Sequence, residues 1–251
     1  FWMGSVLVLI SALMVFFFIK EPKEYEESEI QPGLLASLRE VWADNDKSAM
    51  RLFAAILLWF VGYNAIEAFF TLYAKNHLGM TPADGTRLLG HLSLFFVLSA
   101  LIAGFVGGKL GRRKTIMSGI FLLGGLLASL YLLPSKLLAT VLTTVPVLGD
   151  VAVISIFLMA AGVAWALINI NSLPMVVDMV DDARIGTYTG LYYLFSTLAA
   201  ILGPNVNGWI IQLTDNNYNS IMFVAPTFML LAFLMMLGVT RGEAKPDSVR
   251  M

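Results

Sequence analysis

Cysteine is absent from this chain of 251 residues, and charge is scarce: Asp, Glu, Lys and Arg make up 13% of it, about half the share of an ordinary soluble domain. Without cysteine there is no disulfide, no thiolate metal site and no cysteine nucleophile. The two histidines, His77 and His91, offer no metal-ligand spacing. No Gly-Lys-Ser/Thr loop is present to cradle a phosphate, so the chain does not itself use ATP. A net charge of −1 speaks against a nucleic-acid partner, and 58% hydrophobic residues exclude intrinsic disorder. What the chain has instead is long apolar runs separated by short charged loops, with a mean hydropathy of +0.80. That pattern is an all-α polytopic membrane protein.

Seven segments meet or approach the ~20 apolar residues that a membrane helix needs: Phe1–Ile19, Leu52–Ala74, Leu88–Gly107, Ile116–Leu133, Val151–Val177, Ile185–Ile211 and Ile221–Thr240. Leu137–Leu148 is apolar too, but it is short and holds Pro146, so it reads as an interfacial loop. Thirteen of the sixteen basic residues fall on one side of the membrane, in the loops after spans one, three and five and in the tail; Lys75, Arg87 and Lys136 alone fall on the other. The positive-inside rule makes the richer side cytoplasmic, with the C-terminus there. The expectation is a multi-pass protein of the plasma membrane, divided into a first span (1–19), a connector (20–50), a six-span bundle (51–240) and a tail (241–251). The chain opens on Phe in mid-run with no signal-peptide features, which reads as a fragment whose N-terminal part is missing.

The connector has an acidic front, Glu21–Glu29. Its back half carries Leu34, Leu35, Leu38, Val41 and Trp42 at helical spacing, which predicts an amphipathic helix on the membrane surface. Thr81-Pro-Ala-Asp84 reads as a capping box with Pro at the first helical position.

After span three comes Gly104-Phe-Val-Gly-Gly-Lys-Leu-Gly-Arg-Arg-Lys114. Its glycines permit close helix approach and a tight turn, and its cations anchor at the headgroups. The stretch resembles the loop signature of the major facilitator superfamily: Gly104, Lys109, Gly111, Arg112 and Arg113 match, while Gly108 stands where the family has Asp. Trp59–Tyr73 and Gly162–Pro174 are similar to the glycoside–cation symporters, in particular their sucrose-transporter-like branch. The resemblance implies twelve spans in two halves, of which this chain holds helix six and the six-helix C-terminal bundle. It also implies proton-coupled sugar uptake by alternating access, with the missing N-terminal half as partner, no cofactor and no chemistry on the substrate.

Polar residues inside the spans mark the candidate site. Glu67 is the acid placed well inside a span, where a carboxylate is costly unless it faces a cavity or a partner; it is the candidate for proton coupling. Tyr63, Asn64 and Thr71 share its helical stripe. In span five Trp165, Asn169 and Ser172 recur on one stripe with Asn171 beside them, and Tyr192 and Tyr193 lie in span six. Aromatic faces with amides suit a sugar, whose hydroxyls must keep their hydrogen bonds; amide bonding between helices explains the same residues without a substrate. Asp178, Asp181, Asp182 and Arg184 are placed to pair with Arg112 and Arg113 as a charge-based gate. His91 reads as a satisfied histidine near the outer interface, with a proton relay as the alternative. A drug or metabolite exporter of the same superfamily is the alternative. A seven-span receptor leaves the Gly104–Arg113 loop unexplained, and a retinal protein needs a lysine that the last span lacks.

Overall fold

The computed structural model describes residues 2–18, 33–146 and 148–243. It divides into two compact units, Phe1–Gln31 and Pro32–Met251. In the first, α1 (Trp2–Phe18) is an apolar helix of 17 residues with no charged residue in its end turns; the acidic front of the connector lies outside the described residues.

The second unit holds six helices long and apolar enough to cross a membrane: α3 (Ser48–Asn76), α4 (Pro82–Leu110), α5 (Arg112–Leu132), α7 (Val153–Val177), α8 (Ile185–Leu213) and α9 (Ile221–Leu237). Ahead of them lies α2 (Leu34–Ala43), and α6 (Ser135–Leu138) is a single turn. The runs extend beyond their apolar cores because local chemistry favours it. Thr81 accepts from the Asp84 N–H while the Asp84 carboxylate accepts from the Thr81 N–H, so the expected capping box starts α4 at Pro82. Gly111, at φ +96°, turns the chain sharply between α4 and α5.

Consecutive helices run back and forth, so the bundle has two ends. The starts of α3, α5 and α8 meet the ends of α4, α7 and α9 at a basic end. The opposite end carries a β-hairpin, β1 (Val141–Val145) against β2 (Gly149–Ala152), where an interfacial loop was expected. This hairpin is a small departure from an all-α chain. Thr144 Oγ1 donates to Asp150 across it at 2.7 Å. α2 is the predicted helix, but it is not simply membrane-facing: Val41 and Ser37 are buried while Leu35 and Trp42 are exposed, and the helix packs on α8 and α3.

Glycine sets how closely the helices pack. Water drives little association inside a bilayer, so contact depends on small residues that let backbones approach. α4 lies along α7, α3 along α8 and α9, and α5 along α7 and α9. A methyl group at Gly162 of α7 would stand 2.2 Å from the Leu92 oxygen of α4, and one at Gly203 of α8 would stand 2.7 Å from the Val61 oxygen of α3. Two buried amides hold the same pairs: Asn171 Nδ2 donates to Ala103 O of α4 at 3.0 Å, and Asn207 Nδ2 donates to Ala65 O of α3 at 3.0 Å.

Candidate functional site

The middle of the bundle carries a cluster of rings from α3, α7 and α8. Trp165 is the central residue of α7. Tyr63 of α3 stacks on it at 3.9 Å between ring centroids and 4° between planes. Phe60, one turn before Tyr63, meets Trp165 edge-on at 5.4 Å and Tyr192 of α8 at 6.3 Å. Tyr193 sets its edge against Tyr192 at 5.3 Å. Such pairs are stabilised by ring quadrupoles beyond their area burial, by about 0.5–1.5 kcal/mol each.

Glu67 lies on α3 one turn from Tyr63, exposed, with neither a hydrogen bond nor an ion pair among the described residues. Asn169 lies on α7 one turn from Trp165, half-buried, and its side chain likewise makes no hydrogen bond among them. α3 and α7 run in opposite directions, so these two residues leave the stacked pair toward opposite ends of the bundle. At 1.5 Å of rise per residue they are roughly 12 Å apart along its axis. The sequence reading drew acid, rings and amides around one point; the structure draws them out along a line with Tyr63 and Trp165 at its centre.

Most of the other sequence candidates are engaged elsewhere. Asn171 is fully buried, and its Nδ2 is shared between Ala103 O and Leu167 O, so it joins α7 to α4 out of a substrate's reach. Thr71 packs against the first turn of α4, where a Cβ at Gly85 would meet its Cα at 3.2 Å. Trp165 is 4% exposed, because the Tyr63 ring covers the face a sugar was expected to use. Tyr192 is buried, with its hydroxyl 3.0 Å from that of Ser172. Asn64 gives its Nδ2 to Phe60 O at 2.7 Å within its own helix and stays half-buried. Tyr193 is 56% exposed.

The loop motif forms a charge network at the basic end. Arg112 Nε donates to Asp178 at 2.7 Å, with both side chains largely shielded. Arg113 donates to Met236 O and Leu237 O, the last carbonyls of α9, where a cation is favoured. The Lys109 ammonium lies 4.4 Å from the Phe105 ring centre. Gly104 faces α7 at Ile170. Gly108, in place of the family's Asp, is exposed with open space around it. Asp181 precedes the short turn Asp182–Arg184 and makes no cap with its side chain. Arg184 pairs with Glu40 of α2 rather than with the motif loop.

A residue that the sequence reading passed over completes this network. The Glu243 carboxylate accepts from the Arg112 N–H at 2.7 Å and abuts Gly111, capping the start of α5. Arg241, two residues earlier, reaches Asp44 at 2.7 Å and Asp46 at 2.8 Å. Its hydrogen bond to Asp44, together with the Asp46 backbone N–H, holds that carboxyl below the usual carboxylate range; bonds from the Ser48 hydroxyl and backbone do the same for Asp46. At the opposite end His91, 2% exposed, donates from Nε2 to Leu148 O of the hairpin at 3.0 Å, and its Nδ1 is buried without a partner. It is therefore only half satisfied. Among the described residues no cluster of His, Cys, Asp and Glu fits a metal ion.

The family model described as Major Facilitator Superfamily matches residues 1–204 and again 93–250. The chain is 23% identical over 253 aligned positions to Multidrug resistance protein 2 of Bacillus subtilis, covering 95% of this chain and 54% of that protein. It is 26% identical over 123 positions to the cis,cis-muconate transport protein of Acinetobacter baylyi, covering 46% of this chain and 30% of that protein. It thus spans about half the length, or less, of these curated relatives. A solved peptide transporter POT in complex with alafosfalin superposes with a TM-score of 0.62 at 18% identity, over 76% of this chain and 38% of that one; the likeness is one of fold.

Proposed function

The chain belongs to the Major Facilitator Superfamily, and from that premise we propose that it is one bundle of a proton-coupled secondary transporter that works by alternating access with Glu67 as its coupling acid. The observation that carries this reading is a carboxylate exposed in mid-span without a counter-ion among the described residues, one turn from a stacked aromatic pair at the bundle's centre. An intramembrane acid so placed needs a wet cavity or a second bundle to face. The partner in this reading is an N-terminal six-helix bundle, with the substrate between the two halves and the basic end on the cytoplasmic side of the plasma membrane.

For the substrate, the resemblance to glycoside symporters points to a sugar, and Tyr63, Asn64, Asn169 and Tyr193 remain placed to meet one. A second reading has a specific observation behind it. Among the described residues the six long helices carry no Lys or Arg in their middle turns, and the half-buried Tyr63 lies one turn from Glu67, an acid without a partner among them. That environment suits an apolar compound, neutral or cationic, and supports the exporter alternative; it offers no counter-charge to a dianion such as muconate.

Proteoliposomes of the intact transporter under an imposed proton gradient test both. The Glu67→Gln variant is expected to lose uphill movement while retaining exchange of labelled substrate. Unchanged uphill movement removes Glu67 from the mechanism. Whether an inward gradient fills or empties the vesicles separates uptake from export.

A further inference from the structure

Between α5 and α9 runs an apolar groove of about 500 Å³ that the transport reading does not use. We propose that this groove and the cations at its basic end bind an anionic phospholipid, one acyl chain lying along the groove and the phosphate resting on Lys114 and Arg113.

The groove exists because of residue size. α5 contributes Gly125 and Ala128 where neighbouring positions carry Leu, and α9 contributes Pro226. Ring pairs from the two helices close its ends: Phe121 with Phe233 at 6.3 Å toward the basic end, and Tyr131 with Phe223 at 5.7 Å toward the hairpin end. Phe121 and Phe223 are exposed, so the groove opens outward from the spans. The one hydroxyl along its wall between these ring pairs, on Thr227, donates to Phe223 O at 2.9 Å. The wall thus offers a ligand no unmet hydrogen bond, and a polar solute would lose its own there. An acyl chain loses none.

The cations fix the headgroup. At 100° per residue Lys114, Phe121, Gly125 and Ala128 fall on one stripe of α5, so Lys114 stands about 10 Å along the helix from Phe121, in line with the groove. Lys114 is exposed and makes no hydrogen bond or ion pair among the described residues. Among the described residues Arg113 bonds to the terminal carbonyls of α9 and meets no carboxylate. Two cations without a counter-anion among the described residues, at the mouth of a hydrocarbon-lined groove, match a lipid phosphate above its own acyl chain. A second copy of the chain fits less well, since two-fold packing through this face brings the same cations of both copies to one level.

The test is native mass spectrometry of the purified chain with equal amounts of dioleoylphosphatidylglycerol and dioleoylphosphatidylcholine. The expected result is a phosphatidylglycerol adduct that outlasts the phosphatidylcholine one. Lys114→Gln, at an exposed residue, should lower the ratio of the two about fivefold. Gly125→Leu places its side chain in the open groove, where an added Cβ meets nothing within 4 Å, and should reduce both adducts while far-UV circular dichroism is unchanged. Equal retention of the two lipids that Lys114→Gln leaves untouched overturns the proposal. So does a Gly125→Leu adduct level equal to wild type, or a doubled mass that Gly125→Leu abolishes, which would make the groove a contact between copies.

Discussion

Gly162 provides the sharpest test of how the bundle is packed. A Cβ there would stand 2.2 Å from the Leu92 oxygen, 3.0 Å from the Phe96 nitrogen and 3.1 Å from the Leu92 carbonyl carbon. All three are backbone atoms of α4, so no side-chain rotation relieves the clash. Ordinary contact begins near 3.4 Å, and α4 and α7 must therefore part by about 1 Å for Gly162→Ala to be accommodated. Overpacking of this kind costs about 1–3 kcal/mol, here toward the upper end because neither partner yields. Alanine's better helix propensity returns about 0.5–1 kcal/mol, leaving a net loss of about 2 kcal/mol. At about 2–4 °C per kcal/mol, the thermal midpoint in detergent should fall by roughly 4–8 °C. Tryptophan emission is a suitable probe, since Trp165 lies one turn away. Gly90→Ala is the control: it is on α4 as well, exposed, with nothing within 4 Å of its Cβ, and its midpoint should hold or rise slightly. If Gly162→Ala melts with Gly90→Ala, the close crossing of α4 and α7 is refuted.

Two further outcomes follow from the basic end. The Arg112–Asp178 pair, 17% and 14% exposed, should show a coupling of about 1–2 kcal/mol in a double-mutant cycle of Arg112→Ala and Asp178→Ala; additive single effects would show that the charges do not interact. Asp44 and Asp46 titrate below their ordinary value of 3.8, so their hold on Arg241 is complete above that pH and is lost as the pH falls below it. Hydrogen exchange at Thr240 and Arg241, corrected for intrinsic rates, should therefore accelerate below about pH 3.8 in wild type. In Arg241→Gln it should already be fast at pH 6; protection that survives this substitution would remove Arg241 from the clamp.

Apolar run length alone made the six long helices legible, because hydrocarbon demands it, and Thr81–Asp84 announced a helix start through local chemistry. The hairpin was hidden because Val141–Val145 alternates weakly and its turn lacks an Asn-Gly or Asp-Gly signal. At the centre, residue types could be read but their partners could not. Asn169 and Asn171 look equivalent in sequence, yet two residues on a helix differ by about 200° in facing, and only the position of Gly107 on α4 decides which of them is enclosed: a Cβ there would fall 1.7 Å from Asn171 Oδ1. Trp165 was recognised as an aromatic face, but that Tyr63 occupies this face depends on how two antiparallel helices line up. Glu243 sits in a charged tail that looks solvated, and its capping of α5 depends on contact across 131 residues of chain.

The paired amides Asn171 and Asn207 bear on how such a bundle can bend. Each rivets two helices at a crossing already drawn tight by glycine, α7 to α4 and α8 to α3. Deformation then concentrates along the unriveted seams, between α3 and α4 and between α7 and α8, which are more sparsely packed. Tyr63 and Trp165 stack across the rivets' dividing line, with one ring on each couple. Any shear between the two couples must slide one ring over the other, so the aromatic centre would register a change of shape before either end does.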